Sequence, residues 1–573
     1  MSAKHSLSPE WAEPRRKPSI SKWKLFGAGI LTVAALHWLT PQVHHCSRHH
    51  SHHHHNATYP GESLKWKPCG EIANRTVECS KMDVPMDQFN PDASNKTFNV
   101  PVIRLRGKDG SPNLLLNPGG PGGSGFEFLH RRGVQLSTIV GDGFHLVSFD
   151  PRGINSSTPQ ASCYPSKEAR QEHASVHAVD INKDGAELYA WTHNYVRACE
   201  DTMGEHGKYI NTPQTAADMN SILDAVGQKD MYYWGFSYGT LLGQTYATLF
   251  PERSHRVIID GVVNQFEWYQ QRIDSEDLVD TENVLDGLFK ECIKSGKACP
   301  LSSVADTWEG LKKEFMSLID ELKEQPMDVY INSTTYGLLD YQKIWYGAVF
   351  PVLYKPERWP AFAERMEHLI HGNATEALLE YGLDGPDNYD ALYTVVMNDG
   401  LAGPSHWPQD LQSLIDIAQP TFNRSIFAPD DLLYPFAKQQ WRIPKTHSYV
   451  PRSGVETAHP LLILTTSYDP VCPLVSARSA LAAFEDSRLV EVKGYGHCSV
   501  AVPSLCLAKH VRGFLYNGTL PANNETQCEV DGPYFKASGV ASVQSFEDPE
   551  DQAIHLAQLD LARDPDWPRA IRL

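Results

Sequence analysis

Short apolar runs recur along the chain, and most of them end in Gly, Pro, Asp or Ser. They lie at Asn113–Leu116, Phe144–Phe149, Met231–Trp234, Arg256–Ile259, Leu461–Leu464 and Leu489–Val492. Helical patterns separate several of these runs, such as Ala216–Val226 and Tyr238–Leu249. Strands that alternate with helices predict an α/β protein with a mostly parallel sheet and helices on both faces. Strands that are apolar throughout fit such a sheet because both of its faces are covered.

One long interval interrupts this alternation. Between Arg256 and Leu461 lie about 200 residues, although one strand-helix-strand unit needs only about 30. The interval contains helical patterns at Val284–Lys294, Trp308–Leu322 and Trp359–His371. They predict a mainly helical cap that is inserted between two segments of the core.

The predicted regions of the chain follow from these patterns and from the two termini. They are a cytosolic basic leader (1–24), a signal anchor or signal peptide (25–43), a His-rich stalk (44–60), a first core segment (61–264), the cap (265–445), a second core segment (446–535) and an acidic tail (536–573). The tail is polar and is predicted to be peripheral, with one helix near Asp551–Ala562.

The N-terminal segment indicates the compartment. Residues 25–39 read LFGAGILTVAALHWL and follow a leader that carries several Arg and Lys residues. Basic residues before an apolar run are the order of a secretory signal. The run is short for a membrane span, which needs about 20 residues, but the leader is long for a cleaved signal peptide. We favour an uncleaved anchor with a lumenal or extracellular catalytic domain (a type II membrane protein); cleavage, which would give a secreted protein, is the alternative.

Composition agrees with a globular exported protein. The chain has 573 residues, of which 41% are hydrophobic and 21% charged, which is ordinary for a globular protein. Its net charge of −18 speaks against nucleic-acid binding, which needs a basic surface. Export is supported by nine glycosylation sequons, which begin at Asn56, Asn74, Asn95, Asn155, Asn332, Asn373, Asn423, Asn517 and Asn524.

Eleven cysteines are present, and export permits disulfides between them. The spacing favours Cys69–Cys79, Cys292–Cys299 and Cys163–Cys199, with two more bridges among Cys472, Cys498, Cys506 and Cys528. The pairing of those four stays open, and a Cys472–Cys498 bridge is one hypothesis. Cys46 is then left over. The nearby tract 44–55, HHCSRHHSHHHH, is interpreted as a solvated stalk, with metal binding as the alternative.

The motif Gly235-Phe236-Ser237-Tyr238-Gly239 is the strongest chemical signal in the chain. It lies between a predicted strand and a predicted helix, which is the context of a nucleophile elbow. Small residues must flank such a tight turn, and the helix N-terminus favours negative charge beside the serine. We therefore predict that Ser237 is the nucleophile of a serine hydrolase. An ordinary glycine-rich turn is the alternative.

A serine hydroxyl needs a base, and the base needs an acid that orients it. His497, in Gly494-Tyr495-Gly496-His497-Cys498, follows the run Leu489–Val492 and is the predicted base. Asp469 follows the run Leu461–Leu464 and is the predicted acid. The order serine, acid, histidine is that of α/β-hydrolases. A turn-forming Asp before Pro is the alternative for Asp469.

A glycine-rich loop, Asn117 to Gly125, follows the strand predicted at Asn113–Leu116. The N–H of Gly119 or Gly120, together with that of Tyr238, is predicted to bind the oxyanion. A phosphate-binding loop is excluded because no GK[ST] follows. Arg152 is predicted to order the loop beside the site and not to act in catalysis.

These motifs together resemble the prolyl and tripeptidyl aminopeptidase branch of the α/β-hydrolases. The resemblance rests on Asn117–Gly125, Asp150-Pro151-Arg152-Gly153, Gly235–Gly239, Asp469-Pro470 and Gly496-His497, and on a segment from Ser504 to Cys528 that looks like the C-terminal domain of tripeptidyl-aminopeptidase-like proteins. It implies an exopeptidase that releases residues from peptide N-termini. The family's cap supplies acidic residues for the substrate amine, and Asp399 is the residue predicted for that role. Pro118 stands where prolyl aminopeptidases carry a histidine.

The predicted mechanism is acyl transfer through a covalent intermediate, with no cofactor and no metal. The predicted partner is a peptide or small acyl substrate, and the membrane is contacted only through an uncleaved N-terminal anchor. Two other functions stay open: an esterase or other small-molecule hydrolase, because this fold hosts many substrates, and a catalytically inactive binding protein.

Overall fold

The computed structural model describes residues 59–173, 176, 180–382, 389–428, 432–536 and 544–564. The predicted leader, the signal segment and the stalk up to residue 58 lie outside the described residues. Among the helices within the described ranges, none is both long enough and apolar enough to cross a bilayer.

The predicted strands are present, and most of them extend a little beyond the apolar run. The strands are β1 (Lys67–Ile72), β2 (Arg75–Pro85), β3 (Thr97–Leu105), β4 (Asn113–Asn117), β5 (His145–Phe149), β6 (Met231–Phe236), β7 (Ser254–Asp260), β8 (Met327–Asn332), β9 (Thr335–Leu339), β10 (Leu462–Tyr468), β11 (Arg488–Tyr495) and β12 (Glu525–Glu529). Ten of them form one sheet in the order β1-β2-β3-β5-β4-β6-β7-β10-β11-β12. All pairs from β5 to β12 are parallel, and β1, β2 and β3 add antiparallel pairs at one edge. The mostly parallel sheet is therefore confirmed.

Helices cover the sheet and build the cap. They are α1 (Gly125–Val140), α2 (Lys167–His173), α3 (Ile181–Met203), α4 (Thr212–Ala225), α5 (Tyr238–Leu249), α6 (Gln265–Gln270), α7 (Thr281–Ser295), α8 (Trp308–Glu324), α9 (Tyr341–Ile344), α10 (Phe350–Tyr354), α11 (Trp359–Ile370), α12 (Thr375–Tyr381), α13 (Asp390–Asp399), α14 (Leu411–Phe422), α15 (Tyr434–Gln440), α16 (Leu474–Ala483), α17 (Leu505–Asn517) and α18 (Pro549–Arg563). A π-helical turn, Trp345–Val349, joins α9 to α10.

Alternate residues of each central strand enter different halves of the core, as strand geometry requires. Leu115 of β4 belongs to the apolar cluster on the side of α4 and α5. Leu114 and Leu116 belong to the cluster on the side of α1, α17 and α18. All three side chains are buried, which explains why the strand reads as a continuous apolar run.

The cap lies in the chain between β7 and β10 and has an apolar core of its own. Trp345, Trp359 and Phe362 are among its buried residues. Helices α7, α8 and α11 match the three predicted helical patterns. The prediction missed the β8–β9 hairpin, whose alternating inward and outward residues give a signal for a strand and not for a helix. The exact boundaries of the cap, 265 and 445, stay predictions.

The tail contains its predicted helix, α18, but the prediction that the tail is peripheral is wrong. Ile554, Ala557 and Leu561 of α18 are buried in the core cluster that also contains residues of α1. Asp564, just after α18, forms ion pairs with Arg131 (2.6 Å) and Arg132 (2.7 Å) of α1. The segment is polar on average, but α18 has one apolar face that packs against the core. The average composition did not indicate this face.

Four disulfides form among the described residues. Cys69–Cys79, Cys163–Cys199 and Cys292–Cys299 are confirmed, and the fourth joins Cys506 to Cys528. Cys46 lies outside the described residues. The disulfides indicate an oxidising, extracellular or secretory environment.

The hypothesis of a Cys472–Cys498 bridge is wrong, because both residues are free and buried. Cys506 of α17 lies 5.6 Å (Cα–Cα) from Cys528 of β12, a spacing that suits a disulfide. The Cys498 thiol packs against Gly261 instead, where an added Cβ would lie 2.5 Å from the sulfur.

Candidate active site

Ser237 lies between the last residue of β6 and the first residue of α5. Its backbone has φ 56° and ψ −127°, a conformation that is costly for a residue with a side chain and that recurs at functional sites. The flanking glycines are required by close approach. A Cβ at Gly235 would lie 2.4 Å from the carbonyl oxygen of Gly239, and a Cβ at Gly239 would lie 2.9 Å from that of Asn117. The strand, turn and helix expected around Ser237 are therefore present.

The predicted base and acid are in direct contact. Nδ1 of His497 lies 2.9 Å from each carboxylate oxygen of Asp469, and both side chains are fully buried. The carboxylate also accepts hydrogen bonds from the backbone N–H groups of Val471 (3.0 Å), Cys472 (2.8 Å) and Cys498 (2.8 Å). Asp469 is thus fixed by the two loops that carry the acid and the base. A carboxylate held in this way selects the imidazole tautomer with its proton on Nδ1.

The cap also contacts the predicted base, which the sequence did not reveal. The backbone N–H of His497 donates to the carbonyl of Tyr354 at 3.0 Å. The Tyr354 ring packs edge-on against the imidazole, with 4.9 Å between ring centroids. Tyr354 ends α10 in the cap and carries no sequence motif, so only the fold identifies it.

The glycine-rich loop lies against the nucleophile elbow. A Cβ at Gly119 would lie 2.9 Å from Cβ of Ser237 and 3.3 Å from the backbone nitrogen of Tyr238. The backbone N–H of Gly119 donates to Oδ1 of Asn117 at 3.0 Å. Of the two glycines predicted as donors, Gly119 therefore has its N–H bonded within the loop.

We expect Gly119→Ala to lower kcat/KM by at least about 10²-fold, the effect of losing one oxyanion donor. The added methyl group would lie 2.5 Å from the carbonyl oxygen of Phe236 and would push the loop away from the elbow. Gly122→Ala is the matched control. It also has positive φ, at 112°, but its Cβ would meet nothing closer than 3.7 Å. Equal losses in the two variants, measured on one substrate, would contradict a specific role for this contact.

Asp399 lies behind the wall of the cavity and not on it. Its carboxylate accepts hydrogen bonds from the backbone N–H (2.8 Å) and hydroxyl (2.5 Å) of Thr212, and from Nε1 of Trp268 (3.0 Å). Burial raises its pKa to about 6. The Thr212 hydroxyl lies 2.6 Å from the hydroxyl of Tyr238. In this conformation Asp399 supports Tyr238 and Trp268, and a substrate amine has no direct access to its carboxylate.

A cavity of about 1480 Å³ lies over Ser237. The glycine-rich loop, Tyr238, Cys472, α1 and the segment after β5 line it from the core, and segments between β7 and β10 also line it. The residues that line it from those segments include the aromatic side chains of Trp268, Phe350, Tyr354 and Phe427 and the carboxylates of Asp274 and Asp277. Pockets for small molecules hold about 300–1,000 Å³, so this cavity has room for a peptide segment.

Arg152 has a structural position, as expected. Its guanidinium is buried and bonds both carboxylate oxygens of Asp218, at 2.6 and 2.7 Å. It also donates to the backbone carbonyls of Pro85, Met86 and Tyr209. These bonds tie the loop after β5 to α4 and to the end of β2.

Residues 112–502 match the family model described as alpha/beta hydrolase fold. This match includes the sheet from β4 to β11, the cap and every residue of the predicted triad. The chain belongs to the α/β hydrolase fold family. As a member of that family it is a hydrolase, and the serine hydrolase predicted from the sequence agrees with this membership.

Three relatives are similar to this hydrolase over most of its length. The tripeptidyl aminopeptidase of Streptomyces lividans is 26% identical over 493 residues, which cover 81% of this chain and 86% of that protein. The serine protease Hip1 of Mycobacterium tuberculosis is 27% identical over 487 residues, covering 80% and 90%. The carboxylesterase B of Mycobacterium tuberculosis is 27% identical over 478 residues, covering 80% and 88%.

Proposed function

We propose that this hydrolase is a serine aminopeptidase that releases residues from peptide N-termini, with Ser237, His497 and Asp469 as its catalytic triad. The observation that carries the proposal is the buried His497–Asp469 pair, whose hydrogen-bonded neighbours Tyr354 and Cys472 line the same cavity as Ser237. Two relatives named tripeptidyl aminopeptidase and serine protease support a peptide substrate.

The proposed reaction has two halves. The hydroxyl oxygen of Ser237 attacks the scissile carbonyl carbon while His497 takes the hydroxyl proton. The N–H groups of Gly120 and Tyr238 stabilise the oxyanion, and His497 then returns the proton to the leaving amine as the C–N bond breaks. In the second half a water molecule gives a proton to His497 and attacks the ester. The carboxylic acid leaves, and the proton returns to Ser237.

Asp274 is the acidic group that we propose for the substrate amine. It lies on the cavity wall, and its Oδ1 atom is buried without a hydrogen-bond donor from any described residue. Burial raises its pKa, and the nearby Lys438 opposes that rise. A substrate ammonium group would supply a charged donor for the Oδ1 atom. Asp277, on the same segment, is a second carboxylate within reach of the cavity.

We expect Asp274→Asn to raise KM for a tripeptidyl coumarin amide about 10- to 100-fold, the effect of losing a hydrogen bond to a charged group. The N-acetylated form of the same substrate has no ammonium group, so its kcat/KM should change little. Asp277→Asn tests the second carboxylate, and Glu127→Gln is the matched control, because Glu127 lines the cavity from α1. Steady-state kinetics on both substrates gives the comparison. If wild-type protein cleaves the acetylated substrate as well as the free one, the aminopeptidase assignment is wrong.

An esterase is the second candidate function, favoured by the relative named carboxylesterase B. The same triad would cleave esters, whose alkoxide leaves more readily than an amine. Cleavage of peptide amides distinguishes the two functions. An aminopeptidase should cleave them, whereas an esterase should hydrolyse simple acyl esters and leave the peptide amides intact.

We propose that the hydrolase acts on the lumenal or extracellular side of a membrane, held by the uncleaved segment 25–43. The four disulfides and the exposed sequon asparagines within the described ranges support this location. Among these asparagines, Asn155 is the one that we do not expect to carry a glycan. Its Nδ2 atom donates to Ser124 (3.0 Å) and to Asp150 (2.9 Å) beside the cavity, and a glycan there would replace one of the two hydrogens that make these bonds.

A further inference from the structure

Cys472 is a buried residue of the site that the proposed mechanism does not use. Its thiol, the Asp469 carboxylate and the His497 imidazole each offer a metal-ligand atom, and these three atoms lie within 4.8 Å of one another. All three residues are buried, and Cys472 lines the cavity. A thiol, an imidazole and a carboxylate at this spacing form a donor set of the kind that binds Zn²⁺.

We propose that this cluster is an inhibitory binding site for a thiophilic divalent cation, with Zn²⁺ as the best fit. The ion would be held by the Cys472 sulfur and the His497 imidazole, and the Asp469 carboxylate would orient the imidazole or complete the set. Binding of the ion needs no turnover and is independent of the proposed function. Only the expected inhibition rests on the proposed function.

The chemistry of the donors favours Zn²⁺ over harder ions. Thiolate and imidazole ligands suit Zn²⁺, whereas Mg²⁺ and Ca²⁺ prefer oxygen ligands alone. When the metal–sulfur bond forms, the thiol proton is released to solvent, and water from the cavity can occupy the remaining coordination positions. With two or three protein ligands the site would be open and reversible, unlike a closed structural zinc site.

The electrostatic surroundings of the thiol also favour a cation. Three carboxylates, those of Asp469, Asp277 and Asp260, make the electrostatic surroundings of Cys472 negative. Cys472 lines the same cavity as Ser237, the proposed nucleophile. The same negative surroundings that disfavour a free thiolate stabilise a bound divalent cation, whose charge then holds the thiolate.

Metal binding would stop catalysis at the proton transfer. A metal ion on the imidazole uses the lone pair that must take the proton from Ser237. Zinc would therefore inhibit the reaction at the base itself. The cavity provides the route by which the ion enters and by which a chelator removes it.

The first test compares zinc inhibition in the full-length wild type, Cys472→Ala and Cys498→Ala. Cys498 is the matched control, because it is also a buried free cysteine but lies outside the cluster. Each rate is normalised to that of the same variant in a chelator. We expect Zn²⁺ to inhibit the wild type and Cys498→Ala alike, and Cys472→Ala to need at least about tenfold more Zn²⁺. Equal zinc sensitivity of Cys472→Ala and the wild type would overturn the proposal; Cys472→Ser replaces Cys472→Ala if that variant does not fold.

The second test measures binding without activity and so separates this inference from the proposed function. Cd²⁺ is titrated into Ser237→Ala, and the ultraviolet thiolate-to-cadmium band is compared with that of the Ser237→Ala/Cys472→Ala protein. Both proteins keep Cys46 and the His-rich tract 44–55, so metal bound there contributes equally. We expect one additional thiolate band per chain in the protein that retains Cys472. No difference between the two titrations would overturn the site even if the triad proves correct.

Discussion

Ser237→Ala is expected to lower kcat for peptide amides by about 10⁶-fold. A nucleophile and its base act as one unit, and removal of the nucleophile has an effect of this size. The reason is geometric, because the strained turn holds Ser237 against the glycine-rich loop, where it lines the cavity. Alanine fits the same turn, so the fold should persist while the acyl-enzyme can no longer form. Turnover of a coumarin amide by purified full-length protein gives the measurement.

Ser166→Ala is the matched control for this prediction. Ser166 also lines the cavity, but its hydroxyl accepts a hydrogen bond from the backbone of Ala169 at the start of α2. We expect its turnover to stay within a few-fold of wild type. If Ser237→Ala retained more than about one hundredth of the wild-type rate, where removal of a nucleophile costs about 10⁶, Ser237 would not be the nucleophile.

Asp469→Asn is expected to lower kcat by about 10⁴-fold while the protein stays folded. The present carboxylate accepts from Nδ1 of His497 and from three backbone N–H groups. An amide in its place offers one oxygen for these donors and turns an NH₂ group toward one of them. The imidazole then rotates or takes the other tautomer, and the proton acceptor facing Ser237 is lost.

Asp548→Asn is the matched control for the acid. Asp548 also accepts two backbone N–H bonds, from Glu550 (2.7 Å) and Asp551 (3.3 Å), but it caps α18 and lies outside the cavity lining. Its kcat should match that of wild type. Circular dichroism and thermal unfolding on both variants separate lost chemistry from lost structure. Near-normal kcat in Asp469→Asn would remove Asp469 from the proposed triad.

Local sequence was enough to predict the central strands and the elbow. Each central strand is buried on both faces, so it reads as one apolar run, and the residue after the run lies at the carboxyl edge of the sheet. The same rule that selected Asp469 after β10 could also have selected Asp260 at the end of β7. Its buried carboxylate accepts from the N–H and hydroxyl of Ser499, both at 2.6 Å, and burial raises its pKa to about 6.

The contacts that local sequence could not predict join segments far apart in the chain. Tyr354 contacts His497 from the cap, and Asp399 is linked to Tyr238 through Thr212. No period or motif encodes such pairings, because they depend on how the cap packs on the sheet. The Cys472–Cys498 hypothesis failed for the same reason, since the distance between Cys506 and Cys528 is set by the packing of α17 against β12.

Mapping of a fluorophosphonate adduct by mass spectrometry of the full-length protein tests the proposed triad most directly. Such a probe reacts only with a serine whose hydroxyl is activated by a base beside an oxyanion site. We predict one adduct, on the peptide that contains Ser237, and its loss in His497→Ala. An adduct on a different serine, or none on protein that hydrolyses substrate, would contradict the proposed triad.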